Sequence, residues 1–152
     1  MRVVYLNCLR APTDRTAEAA LTLWPTLEQI PAALSQAGLH VEVVQAARRA
    51  AVLRRGGVTF RFTPGGPRGV AEAVSACRPD VVHQQSFYFG LHAWVAHRRL
   101  PRTPLLVQDH GGRPPRGWRR IAAVWAARTV EGAAFTAREQ AQPYVRSGML
   151  RR

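Results

Sequence analysis

The sequence predicts a Rossmann-like, doubly wound α/β domain whose mainly parallel sheet has about six strands. Three observations predict it. Short apolar runs alternate with stretches of helical periodicity along the chain, the order of strands joined by crossover helices. The first, fourth and fifth of these runs are nearly apolar throughout, as parallel strands covered on both faces must be. The 152 residues, 47% apolar and 20% charged, suit one domain with its own core, residues 1–152.

Each element follows in order. Arg2 to Asn7 (RVVYLN) is the first strand. Thr26 to Ala37 carries apolar residues at helical spacing, with Pro31 expected to kink or delay the helix and Gly38 placed to end it. Val41 to Val44 is the second strand, and Ala46 to Arg55 reads as a short basic helix. Val58 to Phe62 alternates as a third strand. Pro64 to Pro67 marks a turn before a helix over Val70 to Cys77. Val81 to His83 is the fourth strand and Phe89 to Arg99 a helix. Pro104 to Gln108 is the fifth strand, followed by a glycine- and proline-rich loop and a helix over Trp118 to Thr129. Gly132 to Phe135 is a sixth strand, and Thr136 to Arg146 a last helix. Thr136 and Glu139 have the T-x-x-E spacing of a capping box, with Thr136 as N-cap.

Right-handed crossovers favour a doubly wound sheet, in which ligands bind beyond the carboxyl ends of the strands where the order reverses; the order 3-2-1-4-5-6 is taken as the working case. That point lies between the first and fourth strands. Topology therefore gathers Asn7 and Cys8, His83 to Ser86, and Asp109 to Gly112. Asp109-His110-Gly111-Gly112 is the sharpest feature: an imidazole that can exchange a proton or meet a sugar hydroxyl, beside glycines that let backbone approach a ligand, set against the equal alternative of a polar strand end whose groups bond to backbone. His83, Gln84, Gln85 and Ser86 form a second polar strand end, whose amide and hydroxyl groups suit a polyol but taken alone read more simply as strand-to-helix loop chemistry. Packing explains the neighbouring Phe87-Tyr88-Phe89 better than ligand contact does.

Other chemistries are absent from the pattern. His92 and His97, five apart, share no helix face, and no HExxH, paired CxxC or carboxylate cluster offers a metal site. No G-x-G-x-x-G, P-loop or G-x-S-x-G motif exists, which disfavours dinucleotide binding, P-loop hydrolysis and an α/β-hydrolase. Two cysteines cannot form a disulfide framework, and the first apolar run is too short for a secretory signal. No run of 18 apolar residues could span a bilayer. A cytoplasmic domain with free thiols is expected.

The net charge is +13, and all 22 basic residues are arginine. Codon bias accounts for the missing lysine but not for having only 9 acids, so phosphates, anionic lipid and nucleic acid are candidate partners. No helix-turn-helix, RNP-like or zinc-finger signature supports nucleic acid. Arg113 to Arg120 holds four arginines and Trp118, a segment that could meet phosphate or anionic lipid as well as plain solvent.

The order of a strand, a helix ending in glycine and a VEVV strand, then RPDVVHQQS, TPLLVQDHGG and GAAFTAREQA, resembles the N-terminal domain of glycosyltransferase family 4 over nearly the whole chain. The resemblance implies the acceptor-side half of a GT-B fold. Such enzymes move a sugar from a nucleotide-sugar to an acceptor with retention, usually without a metal, and no cofactor is expected. It implies His110 as the catalytic position, a transition-state or donor-sugar contact. His83 matches the PDVVH block in a partly structural role, and Thr136 and Glu139 border the cleft. The topological cluster and the resemblance together give the expected substrate-binding set: Asn7, His83, Gln84, Ser86, Asp109, Gly111, Gly112 and Glu139. Acceptors in this family are often lipid-linked, which adds peripheral contact with an anionic inner membrane face to the expectations. Where the family usually has a glycine-rich loop after the first strand, Ala11-Pro12-Thr13-Asp14 stands. The chain reaches Arg152 before a donor-binding domain would begin, so the expectation is a fragment, a hexosyltransferase only when completed by a C-terminal domain and inactive alone. The competing expectation is a basic Rossmann-like module that binds a phosphorylated or polyanionic ligand without catalysis.

Overall fold

The computed structural model describes residues 1–10, 16–110 and 113–150. The first strand, β1 (Arg2–Asn7), leads through α1 (Ala17–Leu23) and α2 (Pro25–Gln36) to β2 (His40–Ala46). A hairpin of β3 (Ala51–Arg55) and β4 (Val58–Thr63) follows, then α3 (Gly66–Ala76) and β5 (Val81–Gln85). A short 3-10 turn (Phe87–Phe89) enters α4 (Gly90–Arg99), which leads to β6 (Leu105–Asp109), α5 (Trp118–Ala127), β7 (Gly132–Phe135) and α6 (Arg138–Arg146). One seven-stranded sheet has the order β3-β4-β2-β1-β5-β6-β7. All neighbours pair in parallel except β3 with β4. Leaving out β3, the order is the 3-2-1-4-5-6 of the working case.

Both faces of the centre are dry. Tyr5, Val41, Val43, Phe60 and Phe62 pack beneath α1 and α2 around Leu21 and Leu27. Val4, Leu6, Val44 and Val82 pack on the opposite side with Val70, Val74 and Ala93 of α3 and α4. Each such aliphatic or aromatic side chain contributes about 1.5–3 kcal/mol on leaving water. A third cluster joins Phe87, Val107, Ala123, Tyr144 and Met149 where α5 and α6 meet the β6–β7 end.

The crossovers leave one quarter of the sheet uncovered. Among the described residues, only the helices α1 and α2 lie on the Tyr5 side, over β1, β2 and β4. Across β5, β6 and β7 that side carries Leu106, 41% exposed in mid-sheet, with exposed Ala134. A shallow cavity of about 570 Å³ lies there, walled by Val3, Leu34, Leu39 and Val81 among others.

Four expectations are corrected. Residues 46–55 are not a helix: β2 runs through Ala46, and Ala51–Arg55 is an antiparallel edge strand. Gly56 and Gly57, at φ 57° and 77°, make the tight turn that pairs Arg55 with Val58 and raises the strand count to seven. Pro31 sits inside an uninterrupted α2; the break falls instead at Trp24, extended at φ −123°, ψ 80°, before Pro25 at the start of α2. The additional helix α1 is capped by Thr16, whose hydroxyl accepts from the Ala19 N–H at 3.2 Å. Thr136 is not the cap of α6: the N-cap is Ala137, and Gln140 Oε1 accepts from the Ala137 N–H at 3.3 Å and the Thr136 hydroxyl at 2.5 Å.

Candidate functional site

Strand register builds the site. Partners across a parallel sheet point to the same side, so the pairs Tyr5–His83 and His83–Leu106 place these three in one row on the α1–α2 side. The next row towards the carboxyl edge runs Gln45, Asn7, Gln85, Gln108: four side-chain amides on four adjacent strands. This row ends the dry core and opens the polar rim.

His83 lies two residues inside β5, not past its end, because β5 continues through Gln85. Its ring stands edge-on to Tyr5 at 5.2 Å. Burial pushes its pKa below 6.5, opposed by a hydrogen bond with Gln108 and reinforced by His110. Gln85 joins the two imidazoles. Its Nε2 lies 3.4 Å from His83 Nε2 and donates to Gln108 Oε1 at 3.3 Å; its Oε1 lies 2.8 Å from His110 Nε2. With the amide in this orientation, His110 Nε2–H donates a hydrogen bond to Gln85 Oε1, and His83 Nε2 accepts one from Gln85 Nε2–H. In that tautomer Nδ1 of His110 is the ring's lone-pair acceptor. His110 itself is exposed.

The other predicted residues divide. Asp109 is buried on the opposite side of the sheet, accepting from the Phe87 N–H at 2.9 Å and the Ser86 hydroxyl at 3.1 Å, with the Tyr144 phenol also bonded to it. Burial first, then the Asp109 charge, raises the Tyr144 pKa. Ser86 also accepts from the Tyr88 N–H at 3.1 Å and holds φ 67°, ψ 133°, a conformation costly for a non-glycine residue. Gln84 has no exposed surface; its amide braces the carbonyls of Ser86 and Phe89, both at 3.3 Å. As substrate contacts, the Asp109 and Gln84 side chains are therefore corrected to supports of the Ser86 turn. Asn7 is half-exposed and accepts from the Leu9 N–H at 3.1 Å, closing a turn. Glu139 is exposed in the first turn of α6 and makes no hydrogen bond or ion pair among the described residues. Gly111 and Gly112 lie outside the described residues, as does the Ala11 to Asp14 segment.

Sequence reasoning passed over Gln85 as the link, Gln108 and Gln45. The signal was available: His83 and Gln85, and Gln108 and His110, are each two apart, which in a strand means one face. Gln45 Nε2 donates to the carbonyls of Leu9 at 2.5 Å and Ala46 at 2.8 Å, tying down the segment after β1. Buried Cys8 beside it has its thiol pKa pushed up by burial and offers no nucleophile. Among the described residues no three His, Cys, Asp or Glu side chains converge to hold a metal ion.

A doubly wound sheet with paired imidazoles at its switch point thus carries a polar rim that can exchange hydrogen bonds with a hydroxylated ligand. The family model for the glycosyl transferase 4-like domain matches residues 4–148. The chain belongs to this family. No curated protein matches it by sequence. In this glycosyltransferase 4-like domain the match spans β1 to the end of α6, and with it the whole amide row. Membership makes sugar donors and acceptors its substrate class. No helix among its described residues is long and apolar enough to cross a membrane.

Proposed function

We propose that the domain is the acceptor-side half of a retaining glycosyltransferase, taking a sugar from a nucleotide-sugar donor with no further cofactor. The observation that supports this best is the His110–Gln85–His83 link on the carboxyl rim between β1 and β6. In this reading His110 is the catalytic residue: it meets the donor sugar, with Gln85 fixing its tautomer. Buried His83 stays neutral and adds no positive charge beside a sugar whose anomeric carbon becomes cationic as the bond breaks. Asn7, Ser86 and Glu139 offer polar groups to the acceptor, and Gly111 and Gly112, outside the described residues, are assigned to it from the sequence alone. The donor diphosphate is held by a second domain, so the 152 residues alone do not turn over. The acceptor is lipid-linked, and the protein works at the cytoplasmic side of an anionic membrane.

The test follows the two imidazole rings by NMR while the chain is titrated with hexoses and hexosyl phosphates. Saturable shifts at both rings, with Kd of about 1 mM, are expected, together with no hydrolysis or transfer from UDP-glucose or GDP-mannose. In His110→Ala the His83 shifts disappear, and Gln85→Leu weakens binding about tenfold through the lost tautomer control. No response to any sugar rejects the acceptor reading; turnover by the chain alone rejects the half-cleft; an inverted anomer from a completed enzyme rejects retention. A second reading, the non-catalytic binding module, is favoured by the net charge of +13. Phosphate binding that collapses with salt, without any sugar response, selects it.

A further inference from the structure

We propose that the outer face of α4 and α5 is a docking surface for an anionic membrane, holding the rim beside a lipid-borne acceptor; that last clause rests on the acceptor-side reading. The face begins with an apolar stripe. Trp118, Ile121 and Trp125 of α5 are 63%, 58% and 48% exposed. Spacings of three and four place them along one side of the helix, while Ala123 and Ala126 of the same helix face the core. From α4, Leu91 and Trp94 lie against the stripe, with Trp94 and Trp125 ring centroids 5.6 Å apart. Three of the four tryptophans of the chain therefore share this face. Soluble surfaces scatter large apolar groups singly; a contiguous stripe marks an interaction site, and indole suits the headgroup level of a bilayer.

The charge around the stripe names the partner. Between Gly90 and Val130 the chain has eight arginines and one acid, Asp109, which is buried on its own hydrogen bonds. Arg98 lies over the Trp94 ring at 5.3 Å. Arg119 lies over both Tyr88 and Trp118, at 4.8 and 5.2 Å. These stacked guanidinium groups sit at the level of the rings, so cation and indole reach the same depth of an interface together. Exposed Arg113 and Arg116 flank the α5 start. Each arginine near an anionic surface is worth about fivefold in binding. Ile121 and Leu91 decide between polyanions: aliphatic groups on two side-by-side helices gain from lipid and offer nothing to a nucleic-acid backbone.

Orientation links this face to the site. Crossover helices run back along the parallel strands, so the start of α5 lies at the carboxyl edge of the sheet. There Trp118 and Arg119 meet Tyr88, Phe89 and His92 around a cleft of about 290 Å³. Tyr88 follows two residues after Ser86, itself bonded to Asp109 next to His110. The stripe thus starts at the edge that carries the imidazoles.

Co-sedimentation of the full chain with phosphatidylcholine vesicles, with and without phosphatidylglycerol, tests the proposal. Binding is expected only with phosphatidylglycerol. Trp118→Ala/Trp125→Ala should weaken it about tenfold or more. Arg116→Glu/Arg119→Glu should weaken it about thirtyfold or more, whereas Arg49→Glu/Arg54→Glu, with the same change in net charge at the far end of the sheet, stays within about twofold of the parent. Circular dichroism of each variant confirms the fold. No vesicle binding, an equal loss in the Arg49/Arg54 variant, or tighter binding to duplex DNA that the tryptophan variant leaves intact would each overturn the docking surface. Failure of the acceptor-side reading is separate. Vesicle binding with no sugar response leaves the surface standing and removes the acceptor, and sugar response without vesicle binding does the reverse.

Discussion

His92 packs edge-on against Phe89, ring centroids 5.8 Å apart, behind the rim. Burial first, then the Arg10 charge, lowers its pKa from 6.5 to about 4. The unfolded chain therefore binds a proton that the folded chain refuses between those values, and stability rises with pH across the window. The neutral ring contributes fully above about pH 6.5, and that contribution is lost as the pH falls toward about 4. After allowance for partial exposure, the expected loss is about 2 kcal/mol. Urea unfolding at about pH 7 and about pH 4.5 measures it, and His92→Leu should flatten the difference. An unchanged slope in that variant would remove His92 from the account; His83, lowered in the same direction, supplies a smaller slope that remains. At this scale the sequence exposed which side chains carry chemistry but not which way they face. Asp109 and His110 are adjacent, and one serves the protein while the other reaches solvent, because successive strand residues point to opposite sides.

The elements were readable where periodicity was strong and turned on glycine where it was weak. RVVYLN and GAAF match β1 and β7 residue for residue, since apolar runs bounded by polar or turn residues leave little choice. The β3–β4 hairpin was hidden because Arg48, Arg49, Arg54 and Arg55 suggest a solvated helix, while the decisive Gly56-Gly57 lies outside that run. The ending of β5 was hidden for a related reason: Gln84 and Gln85 look like loop until their alternate faces are counted. At the α4–α5 contact, Gly90 is required by space. A Cβ there would stand 2.5 Å from Ala123 Cα and 2.7 Å from its nitrogen, backbone atoms that cannot turn aside. Gly90→Ala should therefore separate α5 from α4 and cost about 2–3 kcal/mol, read as a lower thermal midpoint. Gly38→Ala, with nothing within 4 Å of the added carbon but φ at 84°, should cost about 1 kcal/mol from backbone strain alone.

Across the whole molecule, crossover handedness decides which surfaces are finished. The chain moves one way from β1 to β4 beneath α1 and α2, then the other way through β5, β6 and β7 beneath α3, α4 and α5. The alternation of elements made that plan legible, and strand order followed from it. What alternation does not reveal is coverage: α3, α4 and α5 all lie on the side opposite Tyr5, so none of them returns over β5, β6 and β7 on the other face. The quarter of the sheet around Leu106 is left apolar and open as a result. Anilinonaphthalene sulfonate, a dye that brightens on apolar surface, should consequently glow with the fully native chain, and Leu106→Glu should dim it without changing the near-ultraviolet circular dichroism. A dark native sample would contradict that exposure. For this fold, dye emission reports an unroofed sheet, and loss of order has to be followed by the signals of its aromatic side chains instead.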